Sequence, residues 1–210
     1  IMSLLELYKV GRNEKYFKFA EEYISYRVQE DGTINGYHKE ELNLDNINEG
    51  KNLFTLYDLT GKEKYAKATS RIYQQILEMP RTKEGNFWHK MIYPNQVWLD
   101  GLYMAQPFYI EYENRFNDKK NYEDIFHQFF EVEKNMKDKE TGLYYHAYDS
   151  ERKMFWADKE TGLSRNFWLR SLGWFSMALL DTLVLADKDY PDYDHLQQMY
   201  RDLIDSMLKF

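Results

Sequence analysis

Cysteine is absent from the 210 residues. Its absence excludes disulfides, thiolate zinc sites and a cysteine nucleophile, and it fits a reducing compartment, with the cytoplasm as the expected location. Long apolar runs are missing as well. No stretch approaches the roughly 18 residues a membrane span requires, and no Lys/Arg-flanked apolar segment with a small-residue cleavage site opens the chain. A soluble protein with no membrane partner is expected. Cationic excess is the third absence: 28 Lys+Arg against 35 Asp+Glu give a formal net charge of -7. That leaves no electrostatic footprint for nucleic acid, and an anionic ligand needs a local cationic patch. Ile1 stands first with Met2 behind it, so the numbering is not expected to begin at a natural start codon.

What is present is an apolar fraction of 43% and an aromatic surplus, with 19 Tyr, 13 Phe and 5 Trp. The first excludes disorder and is enough for a packed core in one domain, residues 1–210. The second exceeds what a helical core of this size normally uses, and aromatic-lined clefts are one way to spend it.

The chain repeats itself. Leu4-Leu5-Glu6-Leu7-Tyr8 followed by Tyr16 recurs as Leu53-Phe54-Thr55-Leu56-Tyr57 followed by Tyr65, a shift of 49 at both tyrosines. A looser third copy runs from Tyr109 to Tyr122. Each unit ends in a Gly-containing turn and an aromatic stretch with a histidine, at His38, His89 and His146. The period of about 50 to 57 residues exceeds the roughly 34 of a tetratricopeptide solenoid. Periodicity at i, i+3 and i+4 places Tyr65, Ala68, Ile72, Tyr73 and Ile76 on one helix face, with Lys64, Lys67, Arg71 and Gln75 opposite. The helices expected near 96–115 and 166–187 are apolar nearly all round. Buried helices alternating with amphipathic ones predict an all-α fold of helical hairpins, inner layer and outer layer. Helices are placed near 1–9, 13–29, 44–59, 62–78, 96–115, 119–136, 166–187 and 194–209. The loops with histidines, aromatics and acids then share one rim.

Asp100 stands at the head of an almost wholly apolar helix, in Trp98-Leu99-Asp100-Gly101-Leu102-Tyr103-Met104. Burial beside Trp98 and Met104 suits a general acid; an N-cap is the alternative. Asp45 occupies the matching place one repeat earlier, offset by 55. Two such aspartates are either a carboxylate pair across a cleft, the equipment of glycosidases, or two caps. Three rim histidines also fit a zinc site, but no short His-x-x-x-His spacing accompanies them, and aromatic neighbours suit sugar stacking better. His127 is expected to face solvent. Arg170, between Trp168 and Trp174, either pairs with a carboxylate or holds an anionic ligand as a planar fork.

Taken together, Trp98-Leu99-Asp100-Gly101-Leu102-Tyr103-Met104, His146 with Tyr148-Asp149-Ser150, Trp156-Ala157-Asp158 with Thr161-Gly162, and Trp168-x-Arg170-x-x-Gly173-Trp174 resemble the unsaturated rhamnogalacturonyl hydrolases of glycoside hydrolase family 105. The resemblance implies an (α/α)6 toroid, of which about four of six hairpins are in this chain. It implies removal of a Δ4,5-unsaturated uronic acid from lyase-generated pectin oligosaccharides by hydration of the C4=C5 bond. It also implies Asp100 and Asp45 as catalytic residues, and His89, Met104, His146, Trp168, Arg170 and Trp174 as residues that hold the sugar and its carboxylate. Neither cofactor nor metal is expected. Self-association through the incomplete ring is the expected protein contact. The related glucuronyl hydrolases of family 88, acting on glycosaminoglycan disaccharides, are the enzymatic alternative, and a helical-repeat scaffold binding a polypeptide is the non-enzymatic one.

Overall fold

The computed structural model describes residues 1–210 and carries eight α-helices: α1 (Met2–Gly11), α2 (Glu14–Arg27), α3 (Lys51–Thr60), α4 (Glu63–Glu78), α5 (Leu99–Phe116), α6 (Tyr122–Met136), α7 (Leu169–Leu185) and α8 (Tyr193–Met207). Consecutive pairs form hairpins, and α1, α3, α5 and α7 follow one another as the inner layer, α5 packing chiefly on the 3₁₀ segment Leu44–Gly50 that leads into α3. The row is open, with α1 at one end and α7 at the other. Leu7 and Val10 near one end and Leu169, Met177 and Val184 at the other are exposed. No helix is long and apolar enough to cross a membrane.

The repeat has a physical counterpart at each hairpin turn. The shift of 49 puts Arg12 opposite Gly61, and both take left-handed backbone, φ 52° and 65°, with their N–H groups returning to Tyr8 O and Tyr57 O. The same tyrosines reach across the turn to equivalent acids, Tyr8 to Glu14 and Tyr57 to Glu63. On the opposite rim α2, α4 and α6 each run into a short antiparallel bridge, Val28 with Ile34, Arg81 with Phe87 and Lys137 with Tyr144. Each bridge encloses a glycine at positive φ, Gly32, Gly85 or Gly142.

Several expected boundaries differ. The first turns of the helix expected from 44 are a 3₁₀ segment, Leu44–Gly50, leading into α3. The segment ends in close packing at Gly50, where a Cβ would lie 2.8 Å from both Ile72 Cδ1 and Phe108 Cε2. Residues Gln96–Trp98, expected as helix, form strand β1, paired antiparallel with β2 (Ala147–Asp149). Lys64 and Gln75, expected on the solvent face of α4, are buried. They tie α4 to its neighbours: Lys64 Nζ donates to Ser25 Oγ at 2.7 Å, and Gln75 Nε2 donates to Asn43 O at 2.8 Å. His127 is half-buried, its Nε2 2.8 Å from Glu84 O, instead of facing solvent.

Most of the aromatic surplus goes to the core. Of the twelve largest fully buried side chains, eight are Tyr or Phe, among them Phe54, Tyr65, Phe108, Tyr109 and Phe175. No tryptophan is fully buried, and Trp98, Trp156, Trp168 and Trp174 remain partly or largely open near the rim where α5 and α7 begin. Tyr and Phe thus fill the space between layers, while the largest rings line an accessible surface.

Replacing Gly50 by alanine inserts a methyl group into the Ile72–Phe108 contact. The expected loss is about 1–3 kcal/mol, as for other overpacked core positions, read as a lowered melting temperature. An unchanged melt would mean that the 3₁₀ segment yields freely.

Candidate active site

Asp100 is the second residue of α5, and it caps nothing. The helix is preceded by Trp98 as N-cap, without a side-chain cap bond. Instead the carboxylate crosses to α7: Ser171 Oγ donates to Oδ2 at 2.5 Å and Arg170 Nη2 donates to Oδ1 at 3.2 Å. Asp100 is 9% exposed. Its place in the first turn also suits the positive end of the helix dipole.

Asp45 is likewise no cap, because Asn43 Oδ1 already accepts the Asp45 N–H. Its carboxylate lies 3.3 Å from His89 Nε2 and 2.6 Å from Lys90 Nζ. The hydrogen bond from His89, followed by that from Lys90, outweighs the opposing effect of burial and holds Asp45 at a pKa of about 2. The His89 ring is pinned on its other side by Gly101, where a Cβ would lie 2.7 Å from Nδ1, and that buried nitrogen has no hydrogen-bond partner. Gly101 therefore has to be glycine for His89 to reach Asp45.

From His89 the contacts continue around the rim. Trp98 stands between two histidines, its ring centroid 6.2 Å from His89 and 5.7 Å from His146. Trp156 meets Trp98 edge-on at 5.7 Å. His146 Nδ1 is 2.8 Å from Asn166 O and 3.0 Å from Ser164 Oγ, which orients the ring and leaves Nε2 without a protein partner. Trp168 packs edge-on against His146 at 5.8 Å, and the Arg170 guanidinium carbon lies 3.6 Å over Trp168. Arg170 then returns to Asp100. A chain of direct contacts thus runs from Asp45 through His89, Trp98, His146, Trp168 and Arg170 to Asp100.

Of the eight expected site residues, six belong to this chain. Met104 lies one turn beyond Asp100 on α5, and Trp174 one turn beyond Arg170 on α7; both are half-buried against the core. No group of three His, Asp or Glu side chains is arranged to hold a metal ion. Of the two readings of Arg170, the structure shows the carboxylate pair: one nitrogen meets Asp100, while the side chain is 58% exposed. The rest of the fork is free to meet an anion.

Residue patterns did not single out Lys90, Ser164 or Ser171. Lys90 and Ser171 each directly follow a residue that was singled out, but only the fold reveals what they touch.

The sequence matches Glycosyl Hydrolase Family 88 over residues 1–210. The chain belongs to that family. Its structure is similar to that of a family 105 glycoside hydrolase from C. acetobutylicum ATCC 824, with a TM-score of 0.96 and 47% identity, covering 98% of this chain and 57% of that one. The resemblance to family 105 is borne out by this likeness. The unsaturated rhamnogalacturonyl hydrolase YesR of Bacillus subtilis (strain 168) is 25% identical over 210 residues, 97% of this chain and 57% of that protein. The chain therefore spans little more than half the length of either relative. An unsaturated glucuronyl hydrolase specific for heparin shares the fold at a TM-score of 0.63 and 15% identity.

Two outcomes test this geometry. Gly101→Ala should push the His89 ring away from Asp45, read as a displaced ring in the variant's crystal structure, with a melting temperature lowered by the overpacking. A ring still within reach of Asp45 would refute the pinning. Asp45 stabilises the fold fully above its ordinary pKa of 3.8 and loses that contribution as pH falls through about 2. The melting difference between the parent and Asp45→Asn should therefore shrink between those values, and a constant difference would show that the ion pair contributes nothing.

Proposed function

We propose that this rim is the active site of an unsaturated uronyl hydrolase, acting on the Δ4,5-unsaturated uronic acid at the non-reducing end of lyase-generated rhamnogalacturonan oligosaccharides. The observation that carries the reading is the shared contact of Asp100 and Arg170: a buried carboxyl group beside a guanidinium whose remaining donors are open. Such a pair offers a proton and an anion site within one hydrogen-bond length. The likeness to a named unsaturated rhamnogalacturonyl hydrolase supports the substrate class.

In this reading the substrate is a vinyl ether carrying a carboxylate. Arg170 takes the carboxylate with its free donors, and Trp168, stacked on the guanidinium, holds the fork in plane. Asp100, acting as the general acid, gives its proton to C4, and the positive charge that develops at C5 is shared with the ring oxygen. The resulting carboxylate takes a proton from water as the water oxygen bonds to C5. The hemiketal so formed opens and releases the next sugar, while Asp100 is again protonated. Asp45 acts by fixing His89, whose ring, with Trp98, His146, Met104 and Trp174, would shape the sugar pocket.

Loss of the ultraviolet absorbance of the conjugated uronate, followed on lyase-digested pectin and then on digested chondroitin, tests both reaction and substrate class. Faster loss on chondroitin would favour glycosaminoglycan disaccharides; no loss on either would overturn the activity. Asp100→Asn should cost about 10²- to 10⁴-fold in rate with the fold preserved, and retention of more than about a tenth would remove Asp100 from the chemistry. Arg170→Lys keeps the charge but loses the fork, so kcat/KM should fall, and Arg170→Ala should fall further. If Arg170→Ala instead lowers the melting temperature and leaves kcat/KM intact, its role is the ion pair with Asp100 alone.

A further inference from the structure

Beneath the rim lies a second cation that the reaction does not use. Lys51, the first residue of α3, is 9% exposed, and its ammonium reaches into α5. There Nζ donates to Tyr103 O at 3.2 Å and lies 3.5 Å from the Tyr103 ring centroid. The carbonyl is an informative target. In an unbroken helix Tyr103 O would accept from the N–H four residues on, but that residue is Pro107, which has none. A lysine from the neighbouring inner helix thus supplies the donor that α5 lacks. The Tyr103 ring in turn packs on Trp174 with centroids 4.7 Å apart.

We propose that Lys51 is a positioning residue for the site: its ammonium bridges the gap left by Pro107 in α5 and, through Tyr103, fixes the Trp174 ring. The proposal rests on the proposed function only in its kinetic consequence. A cation over an aromatic face is held by the ring quadrupole, and this attraction is lost with the charge. Burial lowers the Lys51 pKa to about 8, against the opposing charges of Asp181 on α7, Glu49 in the 3₁₀ segment and Glu111 on α5. The brace is therefore intact below that pH and loosens above it.

The test reads Trp174 fluorescence, as the difference between each protein and its Trp174→Phe counterpart, and kcat/KM on an unsaturated uronide, both against pH. In the parent both should change together as pH rises through about 8. Lys51→Arg should move both transitions upward. Lys51→Met should show the high-pH signal at every pH and lose about tenfold or more in kcat/KM, as expected for a displaced pocket wall. Adding Pro107→Ala returns a backbone N–H to Tyr103 O and should recover part of that loss. If Lys51→Met fails to fold, the shift in Lys51→Arg still decides. A parent-like Trp174 signal in Lys51→Met, an unshifted transition in Lys51→Arg, or a double variant no better than Lys51→Met would overturn the proposal. A parent protein inactive on every uronide but with a movable Trp174 transition would overturn the proposed function and leave the brace standing.

Discussion

The contact of Asp100 with Ser171 and Arg170 joins the starts of two inner helices, and the rest of the rim is arranged around it. A carboxylate buried at the head of α5 needs donors, and α7 brings two from consecutive residues. This fixes α5 and α7 in register at their N-terminal ends. The registration in turn puts Trp98 and Trp168 on either side of His146 and lets the His89 ring lie on Gly101. Removing either donor would leave one buried oxygen of Asp100 without its partner, so the geometry is enforced by the cost of breaking it.

The two aspartates, equivalent in the repeat, have different surroundings. Asp45 is half-open and holds a lysine and a histidine, which keep it ionised far into the acid range. Asp100 is enclosed and meets one hydroxyl and one nitrogen of an exposed guanidinium. A single repeat position thus gives a fixed anion in one hairpin and, in the reading advanced above, an exchangeable proton in the next. Separating two carboxylates by environment is how one site acquires distinct acid and orienting groups.

A layered helical fold also explains where the aromatic residues went. Tyr and Phe fill the space between inner and outer helices, whose hydroxyls find partners such as Glu113 for Tyr73 and Asp124 for Tyr109. Tryptophans remain at the rim. An aromatic surplus in the composition therefore mixed two uses, and only burial separates them.

Much of the architecture was legible because it is periodic. The 49-residue shift, the i, i+3, i+4 faces and the glycine turns are local, and they determined the all-α hairpins and the rim on which Asp45, Asp100 and Arg170 meet. The motif around Trp98 and Trp168 likewise carried the family. What the sequence left open were choices between neighbours: whether Asp100 was a cap, whether Arg170 paired with an acid, and why residue 101 is glycine. Each depends on an atom from a distant segment, Ser171 for Asp100, a single nitrogen of Arg170 for the ion pair, and the His89 ring for Gly101. Boundaries failed for the same reason, since β1 exists only because Ala147–Asp149 pairs with it, and Gly50 ends a 3₁₀ segment against Phe108. Lys51 has no local signature, because its partner is the Tyr103 carbonyl that Pro107 leaves without a helical donor. Periodic burial is written into successive residues, whereas the partner of a buried polar group is decided by packing alone.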